Sequence, residues 1–182
     1  SAAAEEARAI MEAAGDASEK ERELIGEAIE QFQASRKARA RKKAERLLKR
    51  YPTSVYREVA HWIKAEAIFL EDDYYQAYEA YDDFVESYAG SRLVGKALRR
   101  QFECAEALLG PARRKVLGMP LSSGEDEAIA MLEKLYAARP EGPLGRDAIF
   151  RIAEYRMRHG DFLEAERSFR TFLQEFPNHR RA

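Results

Sequence analysis

The side chains able to do chemistry are few in this sequence and poorly spaced for it. The 182 residues hold three histidines, His61, His159 and His179, and a single cysteine, Cys104. A helical zinc site needs two histidines at i and i+4 with a carboxylate nearby, and these three are not so spaced. No Gly-x-x-x-x-Gly-Lys phosphate loop and no Gly-x-Ser-x-Gly elbow is written in the chain. Cys104 stands in Phe102-Glu-Cys104-Ala-Glu-Ala-Leu, where a packed thiol is expected rather than a nucleophile. The expectation is a chain that is not an enzyme and takes no cofactor, metal or small-molecule substrate.

Charge says more. The totals nearly cancel, with Lys+Arg 31 against Asp+Glu 32, so no global field points to nucleic acid or acidic lipid. Locally they do not cancel. Residues 36–50 carry nine basic side chains and one acid, Glu45, whereas residues 1–35 carry nine acids and three bases. Arg39, Lys42, Lys43 and Arg46 form the centre of this basic patch. It reads either as a solvated helix face balanced by its acidic neighbour or as a contact for an anionic membrane surface or an acidic partner. No aromatic residues interleave with the cations, which argues against nucleic acid. The tyrosines Tyr74, Tyr75, Tyr78, Tyr81 and Tyr88 fall at helical spacing and read as core, with Tyr75 and Tyr78 partly exposed.

The elements that would carry these residues repeat. Asp73-Tyr-Tyr-Gln-Ala77-Tyr-Glu-Ala-Tyr81-Asp-Asp-Phe84 reads like Asp161-Phe-Leu-Glu-Ala165-Glu-Arg-Ser-Phe169-Arg-Thr-Phe172. Two further segments, from Ala40 and from Ala128, fit the same frame. The shared alanines Ala40, Ala77, Ala128 and Ala165 are 37, 51 and 37 residues apart. Apolar residues follow at +4, +7 and +8, a helical period, and Pro52, Pro140 and Pro177 close three of the four helices. A partner helix precedes each copy, as in Ala60-His-Trp-Ile-Lys-Ala65 and Ala148-Ile-Phe-Arg-Ile-Ala153.

The expected fold is therefore all-α, a right-handed α-solenoid of about four helical hairpins, each stabilised by stacking on the next. The boundaries read as an orphan N-terminal helix in 1–17, taken as the second helix of an earlier repeat, followed by hairpins at 18–52, 53–90, 91–140 and 141–179. The longer spacing places an insertion at 110–124 in the third hairpin. Its Arg113, Arg114, Lys115, Val116, Leu117, Met119 and Leu121 join a basic triplet to apolar residues, and either contact a protein partner or cap the neighbouring hairpin.

Gly160-Asp-Phe…Ala165…Phe169…Phe176-Pro-Asn resembles the tetratricopeptide repeat, a likeness that spans about residues 20–179. The joints Tyr51-Pro-Thr-Ser and Phe176-Pro-Asn-His, with the stretch from Gly110 to Leu121, resemble the BamD-like outer-membrane-assembly lipoproteins. That resemblance implies a periplasmic, outer-membrane-associated scaffold that binds other proteins. Its lipid-bearing cysteine near the N-terminus has no match in Cys104, which falls mid-helix. The chain opens on Ser1 rather than Met, so a processed fragment is expected, its address label removed. A cytoplasmic adaptor and a structural spacer within a larger chain are the alternatives. In the repeat family the first helix of each hairpin lines a groove, which implies a protein-binding face of Val59, Trp62, Glu66 and Phe69, then Arg99, Glu103 and Glu106, then Phe150, Glu154 and Met157. Glu66, Glu103 and Glu154 share one repeat position, so the guest would favour Lys or Arg.

Overall fold

The computed structural model describes residues 2–15, 17–110, 114–116, 119–122 and 124–179, with backbone alone for 114–116 and 119–122. The elements in chain order are α1 (Ala2–Ala13), α2 (Glu19–Gln33), α3 (Lys37–Arg50), α4 (Arg57–Leu70), α5 (Tyr74–Ser87) and α6 (Val94–Leu109). There follow β1 (Arg114–Val116), β2 (Met119–Ser122), α7 (Glu125–Ala138), α8 (Pro143–Arg158) and α9 (Phe162–Glu175). They form two compact units, residues 1–97 and 98–182, with the boundary inside α6.

Local chemistry fixes where the helices begin and end. At the start of α2, Ser18 Oγ accepts from the Glu21 amide at 3.3 Å and Glu21 Oε2 accepts from the Ser18 amide at 3.0 Å, a reciprocal cap that satisfies two otherwise orphaned donors. Pro143 opens α8, where its fixed φ suits a helix and its missing N–H costs nothing.

The turns inside three hairpins are built alike. Ser35, Asp72 and Gly160 each take positive φ, at 57°, 59° and 84°. The amide after each reaches back five residues: Arg36 to the Gln31 carbonyl at 2.9 Å, Asp73 to Ile68 at 3.4 Å and Asp161 to Arg156 at 2.9 Å. The left-handed residue itself donates three back, to Phe32, Phe69 and Met157. This paired closure consumes the last free carbonyls of each first helix. Only one of the three positions is glycine, so two were hidden from a search for glycine caps.

The repeat frame holds in the packing. The shared alanines Ala40, Ala77, Ala128 and Ala165 are all 0% exposed, and seven residues on, Leu47, Phe84, Leu135 and Phe172 are buried with them. Alanine lets paired helices approach closely, and the large residue a turn or two later fills the space behind it. In the first unit α3 packs on α2 and α4, and α4 packs on α5. In the second, α8 packs on α7 and α9. The chain is thus built of tetratricopeptide-type helical hairpins.

Two elements depart from a plain stack of hairpins. First, the insertion holds a short ribbon of strand. β1 and β2 pair antiparallel, with Arg114 opposite Ser122, Lys115 opposite Pro120 and Val116 opposite Met119, and the register shifts between Arg114 and Lys115. Every other described element is a helix, so the class is all-α, as expected. Arg113 and Leu117 of the expected contact set lie outside the described residues. Second, α1 does not sit as the second helix of an earlier repeat. Such a helix would rest chiefly on α2, as α3 rests on α4, whereas α1 packs more on α4 than on α2.

Candidate functional site

On α3, Ala40, Ala44 and Leu47 face the core and turn the opposite side outward. Arg39, Lys42 and Arg46 are exposed on that side, and none of them forms an ion pair among the described residues. Lys43 differs, because it is half-buried and paired with Glu27 of α2. Arg41 is likewise held by Glu45 at 2.9 Å and Glu71 at 3.1 Å. The patch shrinks to a single stripe of unpaired cations, spaced three and four residues apart along one helix face.

The groove residues divide by unit. Val59, Trp62 and Glu66 are 0%, 1% and 2% exposed, so none of them offers a surface while the helices around α4 stay packed. The indole of Trp62 packs between Tyr81 and Phe84 of α5, at centroid distances of 5.9 and 5.6 Å. Tyr81 donates its hydroxyl to Glu66 Oε1 at 2.7 Å. Phe69 is half-buried against Tyr74 and Tyr81. The cause lies in the surroundings of α4. Between Val59 and Ile68 only His61 and Lys64 escape burial, because α1, α2, α3 and α5 all pack on this helix. Tyr78 is also buried, while Tyr75 keeps partial exposure.

In the second unit the expected residues stay nearer the surface. Arg99 and Met157 are exposed, and Phe150 is half-buried against Phe169 and Phe172 at 5.7 and 5.0 Å. The glutamates already have cationic partners. Arg100 donates to Glu103 Oε2 at 2.7 Å. Arg151 bridges two elements, donating from Nε to Glu106 on α6 at 2.5 Å and from Nη1 to Glu154 on its own helix at 2.8 Å. The Glu106 hydrogen bond leads in pushing the Arg151 pKa up still further, so its charge is permanent. Together with Phe102, Arg146, Asp147 and His179, these three side chains line a polar pocket of about 420 Å³.

A row of bare carboxylates seeking Lys or Arg is thus not what the fold presents. Glu66 is spent inside the core, and the others are compensated within the chain. Sequence reading missed Arg151 and Arg100, although both stand three residues before their glutamates, a spacing that brings side chains together on a helix. Among the described residues no group of three or more His, Cys, Asp or Glu side chains is placed to hold a metal ion, and no helix is long and apolar enough to cross a membrane. Cys104 is buried in α6.

Residues 17–98 match the family model described as outer membrane lipoprotein. Residues 147–179 match the model of a tetratricopeptide repeat. No curated protein matches the chain. The first match covers α2 to α5 and the start of α6, and the second covers most of α8 and all of α9. The chain is therefore similar to BamD-like lipoproteins in its first half and to tetratricopeptide proteins in its last hairpin, and both families are protein-interaction scaffolds.

Proposed function

We propose that this chain is a protein-binding scaffold of the cell envelope, working at the periplasmic side of the outer membrane in the assembly of outer-membrane proteins. The observation that carries the reading is the outer membrane lipoprotein match over residues 17–98, the same stretch that folds into two stacked hairpins. Stacked hairpins supply broad, rigid surfaces whose cores are already satisfied, which suits holding other proteins. Catalysis has no part in this reading.

The stripe on α3 gives the scaffold a way to rest on a membrane. Arg39, Lys42 and Arg46 face one side, and none of them forms an ion pair among the described residues. Each such cation contributes about 1 kcal/mol near an anionic lipid surface. Full-length protein is expected to fractionate with outer membranes. The purified chain should sediment with anionic vesicles at low salt and not with zwitterionic ones. Binding should fall steeply toward 0.1 M salt, where screening acts over about 10 Å. Reversing all three charges, Arg39→Glu, Lys42→Glu and Arg46→Glu, should abolish it without lowering the melting point. Recovery of the full-length protein in the cytosol would contradict the placement, and failure of the wild-type chain to bind anionic vesicles at low salt would leave the stripe merely solvated.

A further inference from the structure

The position of α1 points to what the first unit binds. α1 lies on the face made by α2 and α4, which are the first helices of their hairpins. Glu6 forms an ion pair with Lys96, in the first turn of α6, the next first helix in order. Arg8 donates to Gln33 Oε1 at 2.7 Å, at the far end of α2. The helix thus touches three successive first helices, whereas α3, a second helix within the stack, packs on two.

What holds α1 is slight. Its buried residues are Ala4, Ala7 and Ile10, two of which bring almost no apolar surface. α2, by comparison, buries Leu24, Ile25, Ala28, Ile29 and Phe32. A helix of 12 residues is marginal in water without tertiary support. Residues 14–18 link it to α2, and a Cβ placed on Gly15 would meet nothing within 4 Å. The outer membrane lipoprotein match begins only at residue 17, after α1 has ended.

We propose that the face formed by α2 and α4 is a helix-binding site, and that α1 is its resident occupant. The ligand it fits is an amphipathic helix of a partner protein with small residues at three-residue spacing, like Ala4 and Ala7, and a carboxylate placed for Lys96. Partner and α1 compete for the face, so the partner binds only as tightly as the released fraction allows. This rests on the scaffold reading for the existence of a partner.

The test uses the whole chain, with a labelled synthetic peptide of residues 1–14 as probe. Ala7→Glu puts a carboxylate at a position that is 0% exposed and should expel α1. That variant is expected to keep the melting transition of its hairpins and to bind the peptide saturably. The wild type should bind at least about tenfold more weakly, because its tethered α1 competes at high effective concentration. In hydrogen exchange, wild-type α1 amides should open well before those of α4. Lys96→Glu should speed α1 exchange about two- to fivefold, the range of an exposed ion pair, and the swap Glu6→Lys with Lys96→Glu should restore it.

Four results would overturn the proposal. One is α1 protected as strongly as α4, and a second is loss of the hairpin transition in Ala7→Glu, since each makes α1 plain structure. A third is a folded Ala7→Glu chain that fails to bind the peptide up to about 1 mM, the effective concentration of a short tether. The fourth is concentration-dependent dimerisation of the wild type that Ala7→Glu abolishes, which would make a second copy the occupant. No envelope protein enters these assays, so their failure leaves the scaffold reading standing, and failure of the scaffold reading leaves them unchanged.

Discussion

Replacing Trp62 with alanine is expected to cost the first unit roughly 3–5 kcal/mol, the usual loss for a buried aromatic. The side chain is 1% exposed and wedged between Tyr81 and Phe84, and the cavity left behind would be lined by rings that cannot collapse without losing their own contacts. For a unit of this size each kcal/mol moves the midpoint by at least about 4 °C, so the fall should exceed roughly 12 °C. Far-UV circular dichroism reads it, since the variant has lost the only tryptophan. The same substitution separates two roles for the residue. A groove anchor could be removed with the fold intact, and a midpoint within about 2 °C of wild type would return Trp62 to that role.

Gly145→Ala should be nearly as damaging to the second unit, for a different reason. A Cβ there would sit 2.0 Å from the Arg139 carbonyl oxygen and 2.8 Å from that of Pro140. Both are backbone atoms, so no side-chain rotation relieves the clash. The loop that joins α7 to α8 must move, or α8 must start elsewhere. Overpacking a tight site costs about 1–3 kcal/mol, and a backbone obstacle puts this case at the upper end. Gly142→Ala is the control, because its Cβ would meet nothing nearer than 3.6 Å. A melting curve in which Gly142→Ala is silent and Gly145→Ala drops by about 10 °C or more fits the packing described. Equal, small shifts in both would not.

Much of this architecture is legible in the chain, and the parts that are not have common causes. The alanine frame and its apolar followers gave the second helix of each hairpin, because a 3.6-residue period reports which face is buried. It does not report how many faces are buried. Val59, Trp62 and Glu66 follow the spacing of a groove, yet α4 is covered on nearly every side, and one of its covers is α1. Shifted back by 37 residues, the same frame places Ile10 and Met11 under Leu47 and Leu48, the spacing behind reading 1–17 as the second helix of an earlier repeat. Ile10 is indeed buried, but α1 as a whole packs more on α4 than on α2, since periodicity carries no information about what a face meets. The stripe of Arg39, Lys42 and Arg46 could be read directly, whereas the pairing of Lys43 with Glu27 joins residues on separate helices and could not. Arg151 shows both sides at once. Its bond to Glu154 is a matter of helix spacing, and its bond to Glu106 depends on the fold.

Position-resolved cross-linking in the native envelope tests the scaffold reading most directly. A photoreactive residue placed at Arg99 or Met157, both exposed on first helices, leaves the cores undisturbed. Full-length protein carrying either replacement, illuminated in its own membranes, is predicted to form light-dependent adducts with proteins of outer-membrane assembly. Adducts confined to cytosolic proteins, or none from either position, would contradict the account.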